Sequence, residues 1–180
     1  MTHRQRGVTL IELLIGLGLL ALLTHWGVQG FGPWLEQQRR STLAEDLAHT
    51  LRAAKVEAIH RNLRVIVQPA DAGWGHGWRV IADQTGGGAQ DERNPVLRVH
   101  YGQPGVRVVP TPNAAAQVAF DYLGRPVLAG NGSLAASLHL CHSNWPGKHL
   151  RVVLARTGRV RISAQTPATP LCEQPPLTPA

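Results

Sequence analysis

The stretch Gly7-Val8-Thr9-Leu10-Ile11-Glu12, with the apolar residues that follow it to Val28, decides the architecture of this chain. Ahead of it lies the polar segment MTHRQRG, Met1 to Gly7, which carries Arg4 and Arg6. From Val8 to Val28 the only formally charged side chain is Glu12. As a helix rising about 1.5 Å per residue, this run spans roughly 31 Å, close to the ~30 Å hydrocarbon core of a bilayer. Basic residues just before an apolar run favour a cytoplasmic N-terminus.

Three readings of this segment compete. A cleaved secretory signal has a shorter apolar core followed by a small-residue cleavage site, and Thr24, His25, Trp26 and Gly27 match that poorly. A plain membrane anchor explains the length but not Glu12, because a carboxylate in hydrocarbon is costly and is usually paired or functional. The third reading explains both. Gly7-Val8-Thr9-Leu10-Ile11-Glu12 resembles the cleavage motif of type IV prepilins and pseudopilins. The resemblance implies that a prepilin peptidase cuts after Gly7 on the cytoplasmic side. It implies that Val8 becomes the methylated first residue and that Glu12 is the mature fifth-position glutamate. Phe or Met is commoner in that family where Val8 stands. The apolar helix is kept, first as an inner-membrane anchor and then in the packed core of a filament of pilins or pseudopilins.

Beyond this run, Gly30, Gly32 and Pro33 interrupt the helical pattern and predict a kink or local melting. After Trp34 the pattern resumes. Leu43, Leu47, Leu51, Ala54 and Ala58 recur at three- and four-residue spacing as one apolar stripe. The helix is predicted to end near Asn62. From Leu63 the chain reads as β structure. Candidate strands are 63–68, 77–82, 96–101, 106–109, 117–121, 134–141, 150–155 and 159–163, separated by Gly/Pro/Asn/Asp clusters. Thr157-Gly158 reads as the turn of the last hairpin. Gly73-Trp74-Gly75-His76-Gly77-Trp78 reads as a mobile loop leading into a strand, with one tryptophan in the core.

Gly77-Trp78-Arg79-Val80-Ile81 resembles the Gly-Trp strand of the GspH/FimT-type pseudopilins. Phe120-Asp121-Tyr122-Leu123-Gly124-Arg125 is similar to their Phe-x-x-x-Gly-Arg hairpin, and Leu138 to Cys141 with Leu150 to Ile162 to their closing strands. The resemblance covers nearly the whole chain. It implies an α+β fold, with a long N-terminal transmembrane and stem helix packed on a small antiparallel two-sheet β domain. The implied plan is a leader over 1–7, an assembly helix over 8–29 and an amphipathic stem helix over 30–62. A periplasmic β domain over 63–163 and a Pro-rich tail over 164–180 complete it. Members of the family are minor subunits of type II secretion pseudopili or type IV pili.

The chain has two cysteines, Cys141 and Cys172, which allow one bridge. A periplasmic domain is a compartment in which such a bridge persists. His139, Cys141 and His142 do not make a convincing metal site, because no fourth ligand is spaced nearby and neighbouring strand residues point to opposite faces. No phosphate-binding glycine loop, Gly-x-Ser-x-Gly elbow or His-Glu-x-x-His occurs, so neither an enzyme nor a cofactor is expected. Hydrophobic residues make up 43% of the 180-residue chain and charged residues 16%, which excludes general disorder.

The net charge is +7, from 18 basic and 11 acidic residues. Removal of the leader with Arg4 and Arg6 leaves +5, and Val8 to Asp121 is neutral. Between Tyr122 and Cys172 the chain carries Arg125, Lys148, Arg151, Arg156, Arg159 and Arg161 and no acid. Residues i and i+2 of a strand share a face, so Arg159 and Arg161 are expected side by side. Gly158-Arg159-Val160-Arg161 also resembles the motif of FimT-type minor pilins that bind DNA during natural transformation. A structural filament subunit is therefore the leading reading, with a DNA-binding minor pilin as the alternative.

Glu12 generates the first prediction. In a filament core of low dielectric an uncompensated carboxylate is expensive, and the free α-amino group of a neighbouring subunit neutralises it. Glu12→Ala should leave membrane insertion intact and impair assembly, measured by fractionation and by recovery of sheared filaments. Incorporation at the wild-type level would remove this role.

Overall fold

The computed structural model describes residues 9–103, 105–141, 149–165 and 172; the side chains of 24–31, 33 and 165 lie outside that description. The chain divides into two compact units, Met1–Gln38 and Arg39–Ala180. The elements are α1 (Leu10–Arg61), β1 (Arg64–Ala70), β2 (Gly73–Asp83), β3 (Val96–Tyr101), β4 (Arg107–Pro110), β5 (Val118–Phe120), β6 (Pro126–Val127), β7 (Ala136–Cys141), β8 (His149–Leu154) and β9 (Val160–Gln165). A short 3-10 turn, Pro112–Ala114, lies between β4 and β5.

Within the first unit, Glu12 sits in the opening turn of α1, where its backbone N–H donates to the Thr9 carbonyl oxygen at 3.1 Å. Leu10, Ile11, Leu13, Leu14, Ile15 and Leu17 are all more than half exposed. The helix is continuous across Gly30, Gly32 and Pro33, where the residue pattern predicts a kink or local melting. A proline removes one amide donor, and in a helix of 52 residues the remaining bonds hold the turn.

In the second unit, the predicted stripe is the buried face of α1: Leu43, Leu47, Leu51 and Ala58 are fully buried and Ala54 nearly so. The helix stops at Asn62, whose φ of 51° is left-handed. The Asn62 N–H donates to the Ile59 carbonyl and the Leu63 N–H to the Ala58 carbonyl, which satisfies two end carbonyls and turns the chain into β1.

Two antiparallel sheets follow. The first has the order β3-β2-β1-β5-β6 and the second β4-β7-β8-β9. Val65, Val67, Trp78, Val80, Val118 and Phe120 of the first sheet share one core with the α1 stripe. Leu138, Leu140, Val152, Leu154 and Val160 of the second sheet complete that core. On the reverse side of the first sheet, Ile66, Ile81, Ala89, Ala119 and Val127 form a smaller cluster. The eight predicted strands all find counterparts. β6 has none, since its two residues include a proline and show no alternation.

The Gly73–Trp78 segment departs from its sequence reading. It belongs to β2 from Gly73 onward, and both Trp74 and Trp78 are buried. Trp74 Nε1 donates to the Ala114 carbonyl oxygen at 2.9 Å, and Trp78 Nε1 to Thr50 Oγ1 at 3.1 Å. The glycine richness answers to close backbone approach. Gly77 has a φ of 121°, and a Cβ there would collide with the His100 carbonyl oxygen across the β2–β3 pair.

Cys141 and Cys172 form a disulfide with a Cα–Cα distance of 5.6 Å and a sequence separation of 31. A loop of that length is worth about 3–4 kcal/mol when the constraint acts on the unfolded chain. The leader at 1–7 and, apart from residues 164, 165 and 172, the tail at 164–180 lie outside the described residues.

The β8–β9 turn packs tightly. Gly158 has a φ of 76°, and a Cβ there would lie 2.8 Å from the Gly124 carbonyl oxygen and 3.1 Å from Lys55 Nζ. Gly158→Ala should therefore lower the stability of the full-length protein in detergent by about 1–2 kcal/mol, from the left-handed backbone and the clash together. Gly130→Ala, where an added Cβ meets nothing within 4 Å, should leave the unfolding midpoint nearly unchanged. Equal midpoints for the two variants would remove the packing role of Gly158.

Candidate functional site

At the N-terminus, Gly7 and Val8 lie outside the described residues. Glu12 is described, in the first turn of α1 and exposed. Around it the leucine and isoleucine side chains from Leu10 to Leu23 are more than half exposed, an apolar surface too large to be incidental on a monomer. Among the described residues no helix is long and apolar enough to cross a membrane.

The second sheet sorts the basic residues by register. Leu138, Leu140, Val152, Leu154 and Val160 face the core. Residues between them on each strand face the other way. In the β7–β8 ladder His139 pairs with Arg151, and in the β8–β9 ladder Arg151 pairs with Ser163 and Val153 with Arg161. Arg107 pairs with Cys141 across β4 and β7. Arg107, Arg151 and Arg161 therefore share the outer face, with His139 between them. No acidic residue stands on that face among the described residues.

The disulfide places Cys172 on this face, where its carbonyl oxygen accepts from Arg107 Nη1 at 3.4 Å. Burial pushes His139 below the ordinary imidazole range, and the nearby Arg151 and His149 add to that shift. The disulfide also takes up the Cys141 sulfur, so no thiolate is left beside His139 to ligate a metal; His142 lies outside the described residues.

Of the six basic residues singled out in the sequence, the five described ones divide between different features. Arg151 and Arg161 share the outer face of the second sheet. Arg159 precedes β9 and closes the hairpin turn, its carbonyl oxygen accepting from the Ala155 N–H at 2.9 Å. Lys148 lies outside the described residues. Arg125 and Arg156 line a different feature, a cavity of about 460 Å³ beside β6, together with Arg64 and Asp121.

Arg125 is spoken for: its Nε and Nη2 both reach Asp121 Oδ2 at 2.8 Å. Burial works against the Asp121 charge, but hydrogen bonds from the backbone and side chain of Arg125 hold its carboxyl below the ordinary range. Sequence reasoning passed over Arg64 and Arg107, which lie in the stretch whose charges cancel. Strand alternation marks which face each occupies, but the partners across the sheets are needed to see their company.

Comparison with known proteins agrees with this architecture. The family model described as Type II transport protein GspH matches residues 43–158. The prokaryotic N-terminal methylation motif matches residues 2–26. The pilin-like protein PilA1 of Thermus thermophilus is 31% identical over 166 residues, covering 88% of this chain and 98% of that protein. Among solved structures, the type IV minor pilin FimU of Pseudomonas aeruginosa superposes with a TM-score of 0.59 at 20% identity, covering 78% of this chain and 99% of FimU. The minor pseudopilin EpsH of the Vibrio cholerae type 2 secretion system gives 0.53 at 13% identity, covering 70% of this chain and 97% of EpsH. Helix, two-sheet domain and N-terminal methylation motif thus converge, and the chain belongs to the GspH family of type IV pilin-like minor pilins and pseudopilins.

Proposed function

We propose that this chain enters the inner membrane once, with its N-terminus in the cytoplasm and its β domain in the periplasm. Prepilin peptidase then removes residues 1–7 after Gly7, and the α-amino group of Val8 is methylated. Residues 8–29 anchor the subunit and afterwards pack in the filament core, residues 30–62 act as the stem, and 63–163 form the exposed domain ahead of the tail at 164–180. Glu12 compensates the terminal amine of a neighbouring subunit and so sets the axial register. The observation that carries this reading is the methylation motif over residues 2–26, joined to the exposed leucine-rich turns of α1.

The intact mass of the protein recovered from membranes tests it. The mature chain should lack Met1 to Gly7 and carry one added methyl group. In cells without prepilin peptidase the full mass should persist. A chain that keeps its leader in wild-type cells would instead be a stand-alone anchored protein.

The outer face with Arg107, Arg151 and Arg161, flanked by Arg159 at the turn and free of acids among the described residues, favours a second reading as a DNA-binding minor pilin. Guanidinium groups on one strand face contact backbone phosphates, and such binding weakens steeply with salt. In gel shifts with the full-length protein in detergent, Arg159→Gln with Arg161→Gln should weaken DNA retention about 10-fold or more. Absent or salt-insensitive binding by the wild type would remove the DNA role and leave the filament role untouched.

A further inference from the structure

The cavity beside β6 belongs neither to the assembly helix nor to the outer face of the second sheet. Its walls come from the start of β1, the turn after β5, the loop after β6 and the β8–β9 turn, which bring Arg64, Asp121, Arg125 and Arg156 together. Counting charges around it decides what it accepts. Asp121 neutralises Arg125 through the bonds described above. Asp121 Oδ1 is also occupied, accepting from the Leu123 N–H at 3.0 Å and the Arg125 N–H at 2.8 Å. The carboxylate therefore has no oxygen left to balance a second arginine.

Arg64 and Arg156 remain. Arg64 donates from Nη2 to the Leu128 carbonyl oxygen at 3.1 Å, a neutral acceptor that leaves its charge uncompensated. Its Nε is buried and has no acceptor among the described residues. A buried donor left unmade is costly. Arg156, exposed at the hairpin turn, has no hydrogen bond or ion pair among the described residues. The cavity thus presents two uncompensated guanidinium groups. The side chains of Asn131 and Ser133 add neutral donors to the lining. Tyr122, Pro126 and Val127 supply an apolar wall.

We propose that this cavity binds a phosphate monoester, the dianionic phosphate seated between Arg64 and Arg156 and its organic group against Tyr122 and Val127. Two positive charges match a dianion better than a carboxylate or a phosphodiester, each of which carries one negative charge. Planar guanidinium forks bind phosphate oxygens in pairs, and Ser133 and Asn131, which line the same cavity, carry groups able to donate to the remaining oxygens of a tetrahedral group. The site is distinct from the proposed DNA face, which uses Arg151 and Arg161.

Calorimetric titration of the full-length protein in detergent tests this, with phenyl phosphate, inorganic phosphate, dimethyl phosphate and benzoate as probes. Phenyl phosphate should bind saturably and more tightly than inorganic phosphate, and both more tightly than dimethyl phosphate or benzoate. The second ionisation of a phosphate monoester lies near pH 6, so binding should weaken between about pH 7.5 and 5 as the dianion is lost. Arg156→Gln, which changes an exposed side chain with no bond among the described residues, should weaken phenyl phosphate roughly 10-fold or more. Ser133→Ala should weaken it less, and Arg151→Gln on the outer face should leave it unchanged. Dimethyl phosphate or benzoate binding as tightly as phenyl phosphate would overturn the proposal. So would an absence of saturation, or an equal loss in Arg151→Gln and Arg156→Gln.

Discussion

Burial of the α1 stripe governs the folded unit. Leu43, Leu47 and Leu51 are fully buried, and each leucine so removed from water contributes about 1.5–3 kcal/mol. Ala44, Ala48, Ala54 and Ala58 lie among them. Their small side chains are fully or almost fully buried in the same core cluster as residues of both sheets. Because residues of both sheets join this stripe in one core, neither sheet has a complete apolar partner without it. The C-terminal stop at Asn62 matters for the same reason, since it fixes where β1 starts and so the register of everything paired to it.

Polar groups inside this core are answered locally. Both buried indole nitrogens find oxygen acceptors, one on α1 and one at the 3-10 turn. Trp78 also stacks on His100 with ring centroids 4.4 Å apart, and His100 Nε2 lies 3.4 Å from Asp46 Oδ2. The edge strand β3 is thereby tied to α1 through a ring and an imidazole–carboxylate contact, in addition to its ladder with β2. Glycines at the tight approaches of β2 and of the β8–β9 turn allow the backbones to meet where a side chain would hold them apart.

Charge is organised quite differently from the core. Among the described residues, the positive charge in the last third of the chain divides between the second sheet with its last turn and the cavity beside β6. Asp121 shows why a count along the chain misleads. It closes the neutral part of the sequence, yet in space it cancels Arg125, which opens the basic part. Arg64 lies in that neutral part and lines the cavity with no ion-pair partner among the described residues.

Local signals made much of this protein legible from its residues. The glycine–glutamate spacing, the apolar run and the basic leader together marked the N-terminal motif. Helical periodicity marked the stripe from Leu43 to Ala58, and turn residues marked eight of the nine strands. Each of these depends on residues a few positions apart, so a single sequence carries it. Three features depended on pairing across the fold. Trp74 and Trp78 are both core residues because β2 begins at Gly73, where Gly75 meets the backbone at Val106 beside β4 and Gly77 meets that of His100 in β3. β6 exists because Ala119 and Phe120 offer it an edge. Arg64, Arg125 and Arg156 share a cavity because β1, the turn after β5 and the last hairpin converge there. Periodicity states which face a residue takes, whereas only the register of long-range pairs states what that face meets.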